Sequence, residues 1–184
     1  DSLKYPENIN KVGYFRSSYN NGGLERVLGN LGIGGLYHIF NHGKGDEYEF
    51  SPNWKSSLER AKKRLDNNAS KVKWVVSDIL DFNPSEKYDV WHDRAAFHFQ
   101  TNPSDIKKYL EIVNRLSRGI VIVGTFSTEG PLKCSGLTIQ QYNEDSMKGL
   151  FEKNGFENIE CKREDHITPA GAVQNFVFCS FKKN

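Results

Sequence analysis

The chain of 184 residues carries a formal net charge of +2, with 37% hydrophobic and 26% charged residues. This length and composition are typical of one globular domain and are short for two. The small net charge gives no strong field for nucleic acid, and no apolar run approaches the ~20 residues of a membrane helix. We therefore expect a single domain over 1–184 that binds neither nucleic acid nor membranes, with an oligomeric state that the sequence leaves open.

The three cysteines bear on the cellular compartment. Cys134, Cys161 and Cys179 form no Cys-x-x-Cys pair, and their number is odd. This predicts reduced thiols, no disulfide and a cytoplasmic protein, as does the absence of a basic-then-apolar segment at the start. Cys161 and Cys179 fall in strand-like runs and are expected in the core, whereas Cys134 falls in a loop and is more open to a functional role.

The first third of the chain predicts irregular structure and a few short elements. Residues 1–23 are rich in Asn, Ser, Gly and Tyr without a period, which is typical of an irregular lead-in. Four elements are then expected: a weak strand at 26–31, a short helix at 36–40, a second strand at 46–50 and a helix that begins at Ser51-Pro52.

The rest of the chain alternates between strands and helices. The expected elements are strands at 72–76 and 88–92, a helix that begins at Pro103 and ends near Arg118, a strand at 120–126, a helix that begins after Asn143, and paired strands at 157–164 and 174–181. The order β-α-β-α-β-β-α-β-α-β-β predicts an α/β fold. Its sheet should be mostly parallel, with helices on both faces and an antiparallel C-terminal hairpin.

Polar clusters follow two of the predicted strands. Asp78 and Ile79 follow the strand at 72–76, and His92, Asp93 and Arg94 end the next. The carboxyl ends of strands in an open α/β sheet are where ligands bind, so these clusters are candidate site residues. The alternatives are turn capping by Asp78, and an Asp93–Arg94 ion pair beside a partly buried His92.

Two features of the first third could complete such a site. Gly32 and Gly34 are expected between a strand and a helix, where backbone can approach a ligand closely, although tight turns use glycine in the same way. Glu49, at the end of the predicted second strand, could accept both hydroxyls of a ribose or could be a surface carboxylate.

Other kinds of site have little support. His38 and His42 are four residues apart, but no third ligand is suggested, so no metal is expected. No Gly-x-Ser-x-Gly nucleophile motif is present.

Together these residues resemble the class I S-adenosylmethionine-dependent methyltransferases. The resemblance extends from Ser51 to the C-terminus, about two-thirds of the chain, and is carried by 73–82 (KWVVSDILDF), 88–99 (YDVWHDRAAFHF) and 134–137 (CSGL). It implies a three-layer Rossmann-like sandwich. The family's seven-stranded sheet has the order 3-2-1-4-5-7-6, and its seventh strand is antiparallel.

The resemblance also implies roles in binding S-adenosylmethionine. Gly32 and Gly34 would line its methionine end, Glu49 would hold the ribose hydroxyls, and Phe50 would lie beside the adenine. Asp78 would meet the adenine amino group and Ile79 its face. His92, Asp93 and Arg94 would lie near the methionine moiety and the acceptor.

One position departs from the family pattern. An acidic residue usually stands two positions before the first glycine, but here that residue is Asn30. Asn30 can form hydrogen bonds but offers no carboxylate to the cofactor's ammonium group. Loss of such a charge-assisted bond costs ~1.5–3 kcal/mol, which corresponds to roughly ten- to a hundred-fold in affinity.

The expected function is methyl transfer from S-adenosylmethionine to a small-molecule or protein acceptor, with S-adenosylhomocysteine as product and His92 or Asp93 as a base. Two alternatives stay open. One is a non-catalytic methyltransferase-like binding domain, suggested by Asn30. The other is a nicotinamide-dependent reductase, which the displaced third glycine and the reversed terminal hairpin disfavour.

Overall fold

The computed structural model describes residues 12–17, 36–41, 59, 62–63, 65–134, 136–168 and 170–184. These residues form nine strands, which are β1 Val12–Ser17, β2 Leu36–Asn41, β3 Val72–Val76, β4 Tyr88–Arg94, β5 Ser117–Phe126, β6 Lys133–Cys134, β7 Leu137–Thr138, β8 Phe156–Ile167 and β9 Val173–Lys183. Seven of them form one sheet in the order β3-β2-β1-β4-β5-β9-β8, and β6 and β7 form a separate hairpin.

The sheet is parallel from β3 to β5 and antiparallel at its other end. The pairs β2–β3, β1–β2, β1–β4 and β4–β5 are parallel, whereas β9 is antiparallel to both β5 and β8. The predicted α/β class and the antiparallel C-terminal hairpin are therefore confirmed. Because the carboxyl ends of parallel strands share one edge, β3, β4 and β5 deliver the residues that follow them to the same side of the sheet.

Two helices have full bounds, α1 Pro103–Leu116 and α2 Glu144–Glu152. Pro103 occupies the first turn of α1, where its missing N–H costs nothing. Asn143 caps α2 in a reciprocal capping box with Ser146. Three short 3-10 turns cover Asp66–Lys71, Ile79–Asp81 and Phe97–Phe99. Residues 59, 62, 63 and 65, within the helix expected after Ser51, are helical.

The first third differs from the sequence prediction. Val12–Ser17 is a strand where an irregular lead-in was expected, and Leu36–Asn41 is a strand where a short helix was expected. Both expectations are wrong. The run at 36–41 is too short for a helical period to be recognised, and its Tyr, Ile and Phe favour a strand that can pair on both sides. The strands predicted at 26–31 and 46–50 lie outside the described residues.

The main core lies between the sheet and the two helices. On α1 the side chains of Tyr109, Leu110, Val113 and Leu116 are buried on one stripe. Val121 and Val123 of β5 pack in the same cluster, with Met147 and Phe151 of α2.

A second, smaller cluster lies on the opposite face of the sheet. It contains Ala95, Phe126, Ile139 and Phe176, and the half-buried Phe99, Cys134 and Phe178 pack against it. Side chains alternate along a strand, so Phe126 points away from the face that holds Val121 and Val123. The same alternation separates Phe176 and Phe178 of β9 from Val177 and Cys179. The carboxyl edge of β5 therefore has a buried aromatic cluster on the face away from α1.

The prediction that the chain has no disulfide is wrong. Cys161 and Cys179 form a disulfide, and Cys134 is the free cysteine. The antiparallel register of β8 and β9 places the two cysteines directly opposite each other, with their Cα atoms 4.1 Å apart. Local spacing in the sequence does not reveal a cross-strand pair. Because disulfides are typical of oxidising compartments, the cysteines no longer support a cytoplasmic location.

No helix in the described part of the chain is both long and apolar enough to cross a membrane.

Candidate functional site

Asp78 follows β3 and caps the 3-10 turn Ile79–Asp81. Its Oδ1 accepts a 2.8 Å hydrogen bond from the backbone N–H of Leu80. Asp78 therefore caps this turn, which was one of the two roles that the sequence left open. The cap uses Oδ1, so Oδ2 can still accept a hydrogen bond from a ligand. The carboxylate is buried, so a hydrogen bond donated to Oδ2 would meet little competition from water.

Ile79 is fully buried and belongs to the main core, together with Leu80. Its side chain supports the turn that carries Asp78. The predicted contact of Ile79 with an adenine face stays a prediction.

His92 and Arg94 are two residues apart on β4, so both side chains point to the same face of the sheet. Burial, and secondarily the charge of Arg94, lower the pKa of His92 to about 3. The imidazole is therefore neutral at physiological pH, beside a half-buried guanidinium. One cation next to a neutral imidazole suits an anionic group such as a carboxylate.

Asp93 points to the opposite face and is fully enclosed. Its Oδ2 accepts a 2.7 Å hydrogen bond from the Tyr109 hydroxyl. Its Oδ1 accepts from the backbone N–H groups of Ala96 (2.9 Å) and Phe97 (3.2 Å). Burial raises the pKa of Asp93 to about 6, although these three hydrogen bonds act in the other direction. Asp93 thus anchors the turn after β4. The sequence had left open an ion pair between Asp93 and Arg94 as the alternative.

The turn that Asp93 anchors begins with an unusual backbone conformation. Ala95 has a φ of +65°, in the left-handed region that a residue with a Cβ rarely adopts. Its N–H donates a 2.8 Å hydrogen bond to the carbonyl of Gly124 on β5. Such strain costs on the order of 1 kcal/mol and persists where the surrounding contacts fix the backbone. The result is a sharp change of direction that leads into the 3-10 turn Phe97–Phe99.

His98 lies in that 3-10 turn and was not among the site residues predicted from the sequence. It is 0% exposed, and neither Nδ1 nor Nε2 has a hydrogen-bond partner among the described residues. Its ring stacks on Phe126 at a centroid distance of 4.9 Å and contacts Phe99 at 4.4 Å. Burial lowers the pKa of His98 to about 3, so the ring is neutral. An unsatisfied buried polar atom costs about 1–3 kcal/mol, which makes this histidine an unusual core residue.

The contacts of His98 continue along a set of rings that we call the aromatic row, Phe99, His98, Phe126, Phe176 and Phe178. Phe126 and Phe176 are 4.4 Å apart and Phe176 and Phe178 5.9 Å apart, measured between ring centroids. The row depends on Gly124, because a Cβ there would lie 2.2 Å from the ring of Phe178. The only hint of this in the sequence was the aromatic content of 97–99 and 176–178.

The segment between β5 and α2 is tied to the C-terminal hairpin. Asn175 accepts from Ser127 N at 3.0 Å through its carbonyl, and it also contacts Ser127 through its side chain. Arg163 of β8 bridges Glu129 of this segment and Glu144 at the start of α2, which it binds through two hydrogen bonds of 2.8 and 3.0 Å. The backbone of the segment is therefore held from two sides beside the aromatic row.

The remaining predicted site residues, Asn30, Gly32, Gly34, Glu49 and Phe50, lie outside the described residues. The two glycines stand four and two residues before Leu36, the first residue of β2. The helix expected after them is thus a strand, and the premise of a strand–glycine–helix turn at 32–35 is wrong.

The same strand contains His38, so the helical pair with His42 is not formed there. In the described parts of the chain, no group of three or more His, Cys, Asp or Glu side chains could hold a metal ion.

Comparison with known proteins gives no match to a family model or to a curated protein sequence. Solved structures do match. The N-methyltransferase NodS from Bradyrhizobium japonicum WM9 superposes with a TM-score of 0.69 at 12% identity, over 95% of this chain and 86% of NodS. A SAM-dependent methyltransferase from Methanosarcina mazei gives a TM-score of 0.67 at 13% identity, over 97% of this chain and 94% of its own.

A third structure is a 1,6-didemethyltoxoflavin-N1-methyltransferase from Burkholderia thailandensis with bound 1,6-didemethyltoxoflavin and S-adenosylhomocysteine. It gives a TM-score of 0.63 at 13% identity, over 95% of this chain and 72% of that protein. At sequence identities this low, the structural similarity is evidence about the fold alone. This chain has the fold of the S-adenosylmethionine-dependent methyltransferases.

Proposed function

We propose that this protein is an S-adenosylmethionine-dependent methyltransferase that transfers a methyl group to a small-molecule or protein acceptor by in-line displacement. The observation that carries the proposal is a sheet with the methyltransferase strand order, in which the parallel strands β3 and β4 have their carboxyl ends, and with them Asp78, His92 and Arg94, at the same edge. We further propose the complete three-layer Rossmann-like sandwich, with helices on both faces of the sheet.

The described residues fit S-adenosylmethionine by their chemistry. Oδ2 of Asp78 can accept from an adenine amino group while Oδ1 keeps its bond to Leu80. The Arg94 cation, beside the neutral His92, suits the carboxylate of the methionine moiety. Similar structures were crystallised with S-adenosylhomocysteine, NodS among them. The expected contributions of Asn30, Gly32, Gly34, Glu49 and Phe50 stay predictions.

The cofactor supplies an electrophilic methyl group on a cationic sulfur. A lone pair of the acceptor forms the new bond to the methyl carbon as the carbon–sulfur bond breaks, and the bonding electrons leave with sulfur. The protein's main task is then to align the acceptor and exclude water. A proton released by the acceptor passes to water. The role of His92 as a base stays a prediction, which the lowered pKa of its imidazole disfavours.

Asp93 takes a different role from the base predicted in the sequence. Its two oxygens are occupied by three hydrogen bonds and are closed to solvent. We propose that Asp93 is a positioning residue, which holds the turn that leads to His98.

Calorimetric titration of the full chain with S-adenosylmethionine, S-adenosylhomocysteine and NADH tests the proposal. We expect binding of both sulfur compounds and none of NADH. Binding of neither sulfur compound at millimolar concentration would contradict the methyltransferase function and favour a non-catalytic domain, for which Asn30 is the motivating residue. Binding of NADH alone would instead favour the reductase.

A further inference from the structure

His98 is the feature that the proposed function leaves unexplained. In the neutral state one ring nitrogen is a hydrogen-bond donor and the other an acceptor, and both lack a partner in the part of the chain that the structure describes. Buried polar groups are nearly always paired, with protein, water or a ligand. His98 lies at the carboxyl edge of the sheet, and both of its ring nitrogens lack partners among the described residues. This position is therefore suited to binding a ligand.

The position of this ring is fixed by its neighbours. The carbonyl of His98 accepts a 2.8 Å hydrogen bond from Gln140 N, and its ring lies nearly parallel to Phe126, at an interplanar angle of 17°. On the other side of the turn, Asp93 binds the N–H groups of Ala96 and Phe97. The imidazole is thus held by contacts from three elements, as expected of a preformed binding group.

The surroundings of His98 define the chemistry of a ligand. The ring contacts of His98 are with Phe99 and Phe126, which both have flat, apolar faces. Flat apolar walls favour an aromatic ring, which stacks on them. They disfavour a charged ligand, because its desolvation would be uncompensated.

Two residues at the edge of the cluster are partly accessible to solvent. Phe99 and Cys134 pack against the cluster but are only half-buried, so the surface reaches them. Cys134 also lies outside the disulfide, so its alkylation can report occupancy.

We infer that the methyl acceptor is an uncharged aromatic or heteroaromatic molecule with an N–H or O–H group, which binds against the aromatic row and hydrogen-bonds to His98. This inference rests on the proposed methyltransferase function. His98 is then an acceptor-binding residue that selects for the hydrogen-bonding group, since a site built for such a group rejects an analogue that lacks it.

Matched pairs of probe compounds test the inference without knowledge of the natural acceptor. Indole and benzofuran have the same shape, but only indole has an N–H. Phenol and fluorobenzene differ in the same way by an O–H. With the protein saturated in S-adenosylhomocysteine, we expect indole and phenol to bind about tenfold more tightly than their partners and to slow alkylation of Cys134 by N-ethylmaleimide.

A variant isolates the contribution of the imidazole. His98→Phe keeps a ring to stack on Phe126 and removes both nitrogens. It should abolish the preference for indole over benzofuran while leaving the affinity for S-adenosylhomocysteine unchanged. His166→Phe is the control, because His166 also contacts a ring of the row, Phe176, but is only partly buried.

The outcomes separate the two proposals. Equal binding of indole and benzofuran by the wild-type protein, or no protection of Cys134 by any of the four probes, overturns the role of His98 even if His98→Phe does not fold. Binding of the probes without any binding of S-adenosylhomocysteine would contradict the methyltransferase function and leave the aromatic site standing.

Discussion

The hydroxyl of Tyr109 on α1 donates a 2.7 Å hydrogen bond to Oδ2 of Asp93 at the end of β4. The same hydroxyl accepts a 3.3 Å hydrogen bond from Nε1 of Trp91. A helix in the core is thereby linked, through one carboxylate, to the backbone turn at Ala96 and Phe97. This connection explains how main-core packing determines the position of His98 on the other side of the turn.

The pKa of Asp93 predicts a pH effect on stability. Since burial raises this pKa to about 6, the folded chain holds a proton between about pH 4 and 6 that the unfolded chain has released. The stabilisation of the folded state by protonated Asp93 is therefore fully present below about pH 4 and is lost as the pH rises through 6. The difference amounts to about 3 kcal/mol of unfolding free energy.

Asp93→Asn removes this titration, and its Oδ1 can still accept from the turn. The unfolding free energy of the variant relative to wild type should therefore rise by about 3 kcal/mol from pH 4 to pH 7 in urea titrations. Asp81→Asn changes an exposed carboxylate and is the control. Parallel pH profiles for wild type and Asp93→Asn would show that the carboxylate does not titrate in this range.

Asp78 should affect the cofactor more than the fold. Asp78→Asn can keep the cap on Leu80 but presents an amide N–H₂ to the adenine amino group, so we expect affinity for S-adenosylhomocysteine to fall roughly ten-fold or more. Asp78→Ala should additionally cost about 1 kcal/mol of stability through loss of the cap. Asp81→Asn, which removes the negative charge from the surface pair with Lys108, is the matched control in calorimetry. Unchanged affinity in Asp78→Asn would remove this residue from the site.

The disulfide should contribute to stability. Cys161 and Cys179 are separated by 18 positions, and closing a loop of this size contributes about 2–4 kcal/mol. Reduction with dithiothreitol, or the Cys161→Ser variant, should lower the unfolding free energy by this amount, whereas Cys134→Ser should not. Thiol titration of the unreduced, denatured protein should find Cys134 alone reactive. Three reactive thiols would mean that the bond is absent from the purified protein.

Two glycines make a matched pair for packing. A Cβ at Gly124 would overlap the ring of Phe178 at 2.2 Å, so Gly124→Ala should destabilise the protein by about 1–3 kcal/mol. At Gly149 in α2 nothing lies within 4 Å of the added atom, so Gly149→Ala should stabilise by up to about 1 kcal/mol through helix propensity. Thermal unfolding measures both. A neutral effect of Gly124→Ala would falsify the close approach of Phe178 to β5.

The local sequence pattern was sufficient to predict those elements whose apolar period and end residues are distinctive. The strand Val72–Val76, the helix that begins at Pro103 and the capping by Asn143 all follow from apolar period and from end residues. The same pattern placed Asp78 and Arg94 at the ends of strands. These features depend on neighbours a few positions apart in the sequence, so the sequence determines them.

Tertiary structure decided the features that join distant parts of the chain. The β8–β9 register, and not local spacing, brings Cys161 to Cys179. Leu36–Asn41 is a strand because it pairs on both sides, with β1 and β3. Asp93 is an anchor and His98 a candidate binding group because Tyr109 and Phe126 lie beside them. Whether a polar group is used for support or left for a ligand depends on its partners in space, and those partners are fixed only when the chain has folded.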